Sequence, residues 1–368
     1  EQTEVAHAEA PQIPEVTGSP ASTVPWSVQS REGRRWLGSV LTVKEIEDVI
    51  QEAAKQPIRA YASLQSGTTD EERAAVVMRE LERTNAFERS AIALFSPTGS
   101  GYVNYVASET FEYLTRGDCA SFAIEYSVLP SSFSLQAVPL GTRQTRLVVD
   151  AVVERLLTMK PEDRPKFYMF GESLGSQVSE GMFTDEGAWG PRGIGLTAGV
   201  WIGTPSATTW RKQLWGKRSI ADPSAIGPGD TYLPRNIDDW HKLPESERAK
   251  VRFLLLQNGD DPIPKFGTQL IWRRPDWLGP DDTRPLGSPK GTKWIPFVTF
   301  VQTFIDMLNA LTPTPGIFAE GGHDYREEIP EALRQIWRLE ISEGQMKRVQ
   351  QALRNRELHW EATRAWEA

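Results

Sequence analysis

The chain contains few of the residues on which several protein classes depend. Its single cysteine, Cys119, excludes a disulfide within the chain and is interpreted as a small buried apolar residue. Only four histidines occur, with no H-E-x-x-H or C-x-x-C pattern, and no G-x-G-x-x-G opens the first strand–helix unit. We therefore expect no metal and no cofactor. No run of about 18 apolar residues is present, so no segment is predicted to span a bilayer.

The overall charge is negative, with a formal net charge of −8 at pH 7. A nucleic-acid partner is therefore not expected, because phosphate binding requires a basic surface. The 368 residues are 39% hydrophobic and 24% charged, which is ordinary for a soluble globular protein. The chain begins at Glu1 without a signal-peptide pattern, and we expect a truncated or processed product. Its oligomeric state stays open.

The composition divides the chain into three parts. Residues 1–30 are rich in Pro, Ser, Thr and Glu and are predicted to be a flexible arm or linker, with order beginning near Trp26 or Trp36. Residues 31–341 are predicted to form one domain, and residues 342–368 a charged amphipathic helix that docks on the domain or on a partner. Two long connections, 203–250 and 262–297, are rich in Trp, Pro and Gly. They are interpreted as insertions that form a lid or substrate wall, or equally as segments that only pack onto the body.

Between the arm and the terminal helix, predicted strands alternate with predicted helices. Short apolar runs predict strands at 58–64 (half-buried by its alternation), 91–95, 121–128, 166–170, 196–202 and 251–257. Helical periodicity predicts helices at 43–54, 71–83 (capped by Thr69 and Asp70), 107–114 and 142–159. This alternation implies βαβ units, a mainly parallel sheet and an α/β fold.

The most informative motif is Gly171-Glu172-Ser173-Leu174-Gly175, a G-x-S-x-G pentapeptide. It lies between a predicted strand and a predicted helix, which is the context of a nucleophile elbow. The elbow glycines, Gly171 and Gly175, permit a tight turn that exposes Ser173. The amide of Leu174, at the start of the helix, is a candidate oxyanion donor because unpaired N–H groups there favour negative charge.

A serine nucleophile needs a histidine base, and chain order selects one of the four. His7 lies in the arm, His241 precedes the last long strand, and His359 falls within the terminal helical pattern. His323, in the glycine-rich loop Gly321-Gly322-His323, remains as the general base. Acid and base are expected on turns after late strands.

The acid is expected on the turn after the strand at 251–257. Asp261, followed by proline, is preferred there, while Asp260 is the alternative acid or a turn cap. Asp324 is less favoured because it adjoins His323 in sequence.

The second oxyanion donor is expected in the loop after the strand at 91–95. The loop reads Pro97-Thr98-Gly99-Ser100-Gly101, and the amides of Thr98 and Gly99 are the candidates. A phosphate-binding loop is excluded because no G-K-[ST] follows and no helix opens directly behind it.

These motifs, with several others, give the chain a family resemblance. The matching segments are V-P-W at 24–26, R-E-L-E-R-T at 79–84, P-T-G-S-G at 97–101, E-Y-L at 112–114 with G-D at 117–118, G-E-S-L-G-S at 171–176 and R-R-P-D-W-L at 273–278. Over about residues 25–335 the chain resembles a bacterial α/β-hydrolase family best known from mycobacteria and other actinobacteria. Its members commonly carry membrane-spanning segments ahead of the catalytic domain.

The resemblance implies an α/β-hydrolase fold with Ser173 as nucleophile, Asp261 as acid and His323 as base in a Gly-His-x-Tyr loop. It also implies a soluble catalytic domain tethered to a membrane by a segment outside this chain. The expected function is hydrolysis of a carboxylic ester of a lipid or other apolar acyl group. Acyl transfer on the same residues is one alternative, and an inactive hydrolase-fold binding module is another.

Overall fold

The computed structural model describes residues 9–129, 134–206, 208–215, 226–279, 291–310, 314–319 and 321–367. Within these ranges, side chains are described up to residue 358, with residue 276 excepted. The strands are β1 (Ile58–Ala62), β2 (Ala91–Ser96), β3 (Cys119–Ile124), β4 (Lys166–Glu172), β5 (Ala198–Ile202), β6 (Thr231–Tyr232) and β7 (Phe253–Leu256).

The seven strands form one sheet in the order β1-β3-β2-β4-β5-β7-β6, and every neighbouring pair is parallel. This confirms the predicted α/β fold. Because the strands are parallel, their carboxyl ends share one edge of the sheet, where loops of such folds gather their functional groups. The loops that follow β2, β4, β5 and β7 all leave from this edge, and β4 lies between β2 and β5.

Helices cover both faces of the sheet. They are α1 (Arg31–Gly38), α2 (Val43–Ile50), α3 (Asp70–Arg83), α4 (Tyr105–Leu114), α5 (Val138–Leu157), α6 (Leu174–Gly181), α7 (Gly190–Gly193), α8 (Thr209–Trp215), α9 (Ile237–Lys242), α10 (Glu245–Arg248), α11 (Val298–Ala310), α12 (Ile329–Ile336) and α13 (Glu343–Glu367). Side chains of the sheet project into two buried apolar clusters, one on each face. All six predicted strands exist, although most boundaries differ by a few residues.

Local sequence signals set the first helices. The Thr42 side chain accepts a hydrogen bond from the amide of Glu45, and the Glu45 carboxylate accepts one from the Thr42 amide, a capping box that starts α2. Thr69 and Glu72 repeat this arrangement at α3, which confirms Thr69 as the predicted cap, whereas Asp70 is the first residue of the helix. The predicted half-burial of β1 is wrong, because all five of its residues are buried.

The N-terminal segment explains that burial and corrects the prediction of a flexible arm. From Ile13 the segment packs on the sheet edge: Val16 is fully buried, and the Thr17 amide donates to the Arg59 carbonyl over 3.0 Å. The buried Glu80 carboxylate accepts hydrogen bonds from the Thr17 and Ser22 hydroxyls and from Thr23. The hydroxyl-rich composition therefore satisfies a buried acid instead of producing disorder. Residues 1–8 lie outside the described residues.

A buried ion pair fixes the same edge of the sheet. Arg59 of β1 and Glu112 of α4 are both fully buried, with 2.6 Å between Arg59 Nε and Glu112 Oε1. Glu112 Oε2 also accepts from the Leu41 amide at 3.0 Å, and Arg59 Nη1 donates to Ser39 Oγ at 2.8 Å. The pair thereby joins β1, α4 and the connection between α1 and α2.

The tryptophans of the two insertions mostly pack inward. Trp210, Trp240 and Trp277 are buried, which favours the packing interpretation for them, whereas Trp272 is 65% exposed. The long helix α11, which sequence analysis did not predict, follows the second insertion.

The predicted terminal helix exists as α13 and docks on the domain. Val349 and Leu353 are fully buried, and the Gln345 side chain donates to the Ile50 carbonyl at 3.0 Å. Among the helices of the described ranges, none is both long and apolar enough to cross a membrane. The membrane tether outside this chain stays a prediction.

Candidate active site

The elbow at Ser173 has the backbone strain that the motif predicts. Ser173 follows β4 directly and precedes α6, with φ 51° and ψ −121°. A positive φ is unfavourable for a residue with a side chain and persists only where neighbouring contacts impose it. Here the Ser173 amide donates to the Ile202 carbonyl of β5 at 3.0 Å, and the Ser176 hydroxyl donates to the same carbonyl at 3.1 Å. The elbow is therefore tied to the neighbouring strand.

The loop after β2 lies against the start of α6. A Cβ added to Gly175 would stand 2.2 Å from the Ser96 carbonyl oxygen, so the second elbow glycine is required by this close approach. Gly171 is also confined, because a Cβ there would stand 2.8 Å from the Ser176 Cα. The amide of Leu174, as the first of the helix, has no partner within the helix. The loop after β2 and the N-terminus of α6 thus meet beside Ser173.

The two candidate donors in that loop differ. The Thr98 amide donates to the Tyr102 carbonyl at 2.8 Å, so this N–H is already engaged within the loop and is less suited to an oxyanion than one without a partner. The Gly99 amide makes no hydrogen bond within the described part of the chain. Gly99 is therefore the better partner for Leu174 as an oxyanion donor. The composition of the loop does not predict this hydrogen bond between the Thr98 amide and the Tyr102 carbonyl.

Asp261 lies at the centre of the polar contacts after β7. Its side chain is fully buried: Oδ1 accepts from the Ile263 amide at 2.8 Å, and Oδ2 lies 2.8 Å from His323 Nδ1. The Tyr325 hydroxyl donates to the same Oδ2 at 2.7 Å. The alternative acid, Asp260, instead accepts from the Gly322 amide at 2.7 Å. The structure therefore brings Asp261 to the imidazole and uses Asp260 to hold the loop.

His323 reaches the site from a loop between α11 and α12. The expectation that this loop follows a late strand is not met in the described ranges, where β7 is the last strand. The ring lies against Gly203, which follows β5 with φ +56°; a Cβ there would stand 2.6 Å from His323 Cε1. Because Ile202 binds the Ser173 amide and Gly203 contacts the imidazole, β5 places both groups at its end.

Ser173 and His323 are not directly bonded. No hydrogen bond joins Ser173 Oγ to His323 Nε2 among the contacts of the described residues. Such bonds are often long in a hydrolase without substrate and shorten in the substrate complex.

Burial and charge act in opposite directions on the pKa of His323. Burial disfavours the imidazolium and lowers the pKa, but the Asp261 carboxylate outweighs it through charge and hydrogen bonding. Glu172 and Asp324 contribute in the same direction as Asp261, and the pKa lies above the usual 6.5. The ring is thereby held as a stronger base than a free histidine.

Glu172 is a second carboxylate beside the nucleophile that sequence reasoning did not assign a role. It ends β4 next to Ser173, pairs in register with Ile202 of β5, and its Oε2 accepts from Asn104 Nδ2 at 3.0 Å. Burial raises the pKa of Glu172, while the Asn104 hydrogen bond and His323 act in the lowering direction. In the sequence, only its place as the charged residue before Ser173 in the G-x-S-x-G motif could have indicated this role.

The other candidates have different surroundings. His241 lies on α9, 3.6 Å from Glu331, and Asp324 pairs with Arg326 at 2.7 Å. His7 and the side chain of His359 lie outside what the structure describes. Cys119 is buried in β3, and burial raises its thiol pKa, which fits the packing interpretation. Within the described ranges, no three His, Cys, Asp or Glu side chains are grouped so as to hold a metal ion.

A parallel sheet that presents a positive-φ serine between a strand and a helix, with a later Asp–His pair at the same edge, defines the α/β-hydrolase class. The model of an alpha/beta-hydrolase family matches residues 58–349, well over half of the chain. The chain belongs to this family. No curated protein and no solved structure matches it.

Proposed function

We propose that the protein is a serine hydrolase that cleaves carboxylic esters of apolar acyl groups. The observation that carries the proposal is the Asp261–His323 contact of 2.8 Å, formed at the end of β5, whose Ile202 also binds the Ser173 amide. An acid-oriented imidazole beside a strained serine is the arrangement that activates a hydroxyl nucleophile.

In the proposed reaction, the Ser173 hydroxyl attacks the ester carbonyl while His323 Nε2 takes its proton. Asp261 keeps the proton of the ring on Nδ1 and stabilises the imidazolium that forms. The amides of Leu174 and Gly99 donate to the oxyanion, and such a donor contributes about 3 kcal/mol of transition-state stabilisation. His323 then protonates the leaving alcohol, and water, deprotonated by the same ring, releases the acid from the acyl-serine.

Apolar groups around the site support an apolar acyl chain. Leu129 and Leu135 are 49% and 53% exposed, and between them Ser134 donates to the Gly99 carbonyl at 3.1 Å. On the other side, the segment after Asp261 leads directly to a small apolar cluster that contains Leu270 and Trp277. Apolar side chains thus flank the Ser134 contact to the oxyanion loop and follow the acid turn along the chain.

A chain-length series of acyl esters tests the proposal with wild type and Ser173→Ala. We expect kcat/KM to rise with acyl length in the wild type and to fall by at least about 10⁴-fold in the variant. A fluorophosphonate probe is expected to label the wild type and the surface control Ser90→Ala, and not Ser173→Ala. Undiminished turnover by Ser173→Ala contradicts the mechanism, and an unlabelled, inactive wild type indicates a binding module.

Acyl transfer shares the acyl-serine and differs only in the acceptor. Product partition measured with added alcohol acceptors separates the two outcomes. Hydrolysis as the main reaction predicts that free acid dominates even at high acceptor concentration. A predominance of transesterified product identifies the alternative.

A further inference from the structure

Helix α11 presents an apolar face to solvent. Five large apolar side chains of the helix are 39–50% exposed, namely Val298, Val301, Phe304, Ile305 and Leu308. Their spacing of three and four residues places them on one side of the helix. The opposite side carries the buried Thr299 and Thr303, so the exposed side is not the one that packs on the protein.

The exposed surface extends beyond the helix. Ile295 and Phe297 precede α11 and are 51% and 67% exposed, and the Phe297 amide donates to the Ile271 carbonyl, next to Trp272. The α11 face is defined here as these three residues and the five of the helix: Trp272, Ile295, Phe297, Val298, Val301, Phe304, Ile305 and Leu308. An exposed apolar surface formed by eight neighbouring side chains marks an interaction site.

Two basic residues adjoin the α11 face. Arg273 and Lys293 adjoin it with exposed side chains, and neither forms an ion pair within the described residues. Asp306 is the only charged residue of α11, whereas the chain carries a net charge of −8. Aromatic and aliphatic side chains next to unpaired cations are typical of surfaces that enter the interface of anionic lipids.

We propose that the α11 face docks on the surface of an anionic lipid bilayer and lies in its headgroup region without crossing it. The partner is a lipid surface because the face combines exposed aromatic rings with two cations that form no ion pair within the described residues. A second copy is disfavoured because a two-fold dimer through this face would bring the cations of one copy against the same cations of the other.

Helix α11 contacts the segment that follows the acid turn, so docking of the α11 face places the candidate active site near the bilayer. Phe266, which follows Asp261 by five residues, packs against Phe300 of α11 with 5.2 Å between ring centroids. Lys265 also donates to the Gly259 carbonyl of the acid turn. The docked face is thus connected to the turn that holds the imidazole. That the bilayer supplies the substrate rests on the proposed function, whereas the docking does not.

Vesicle sedimentation tests the docking with the whole chain. The probes are vesicles of phosphatidylcholine alone and vesicles with phosphatidylglycerol added. We expect the wild type to bind the anionic vesicles, and the double variant Val301→Glu/Ile305→Glu to bind at least about tenfold more weakly. Leu157→Glu, which changes a 64% exposed leucine at the end of α5, is the matched control and should bind like wild type.

Charge variants test the choice of partner. Arg273→Gln and Lys293→Gln should each weaken binding to anionic vesicles about fivefold and leave the weak binding to neutral vesicles unchanged. Raised salt should have the same effect as these substitutions. Equal binding of all variants to both vesicle types overturns the proposal. So does a wild-type dimer, detected by light scattering, that the double variant converts to a monomer, because the face is then an interface between copies.

Two substrates separate this inference from the proposed function. The double variant should hydrolyse a short, water-soluble ester like wild type but lose turnover of a long-chain ester embedded in anionic vesicles. Vesicle binding without any Ser173-dependent turnover keeps the docking and contradicts the hydrolase. Ser173-dependent turnover without vesicle binding contradicts the docking alone.

Discussion

The two flanks of the sheet use buried carboxylates differently. On the β1 side, Glu112 and Glu80 accept hydrogen bonds from several chain segments, and each is paired with an arginine. On the β7 side, Asp261 also is fully buried, but one of its partners is the ring of His323, whose Nε2 makes no hydrogen bond within the described residues. The carboxylates on the β1 side thus contact only groups of the fold itself, whereas the Asp261–His323 pair leaves His323 Nε2 available to a ligand.

Burial of an acid alone therefore does not mark a functional site. A carboxylate that binds only backbone amides, hydroxyl groups and guanidinium groups holds segments together. One that orients a titratable ring at the carboxyl edge of a parallel sheet controls a proton. The comparison predicts that substitutions on the β1 flank change the free energy of unfolding, whereas substitutions on the β7 flank change turnover.

The largest expected effect is that of Asp261→Asn. The neutral amide no longer stabilises the imidazolium or fixes the ring tautomer, so kcat should fall by about 10⁴-fold. Asp260→Asn is the matched control, because Asp260 only accepts from the Gly322 amide, and kcat should stay within about tenfold of wild type. Steady-state hydrolysis of a soluble ester measures both. Equal losses in the two variants would show that the adjacent aspartates do not have separate roles.

On the opposite flank, Glu112→Gln should act on stability. The substitution leaves the fully buried Arg59 without its counter-charge, which costs about 3 kcal/mol in the free energy of unfolding. Urea denaturation measures this loss, and kcat per folded molecule should be unchanged. Lys44→Gln, which breaks an exposed pair with Asp48, should leave the urea denaturation midpoint close to that of wild type. A large fall in kcat for Glu112→Gln would remove the distinction between the flanks.

The smallest effect concerns Glu172, which lies between the flanks at the end of β4. His323 must be neutral to accept the serine proton, so activity falls as the pH drops through its raised pKa. Glu172→Gln removes a negative charge that favours the imidazolium, so the pKa of His323 should fall and the acidic limb of the kcat/KM profile should move to lower pH. Asp324→Asn should move it less, because Arg326 already pairs with Asp324. If the acidic limb of the kcat/KM profile does not move in Glu172→Gln, this acid has no electrostatic effect on His323.

The sequence predicted those parts of the site that depend on chain order and local geometry. The elbow around Ser173, the Asp-Pro turn and the glycine loop of His323 are short motifs whose backbone requirements are legible in residue types. What it missed depends on contacts between distant segments. Tyr325 binds Asp261 from 64 positions away, and Gly203 makes room for the imidazole from a different strand.

Composition misled at two places for a related reason. The Ser/Thr-rich start of the chain was predicted to be flexible, yet its hydroxyl groups bind the buried Glu80, which lies 58 positions from Ser22. Helix α11 was not predicted at all, and its pattern is inverted, because its buried side carries Thr299 and Thr303 whereas its exposed side is apolar. The parallel sheet, by contrast, follows from the alternation of apolar runs and amphipathic helices alone.

Gly203 leaves space for the imidazole of His323 but belongs to none of the sequence motifs of the site. The imidazole occupies the space in which a side chain at this position would stand, and the backbone there has a positive φ. A relative with alanine in its place would keep the serine, aspartate and histidine in the same order, and yet its histidine ring would be displaced from the end of β5. When sequences of this family are sorted into active and inactive members, the residue after β5 is therefore as informative as the three that are proposed to carry the chemistry.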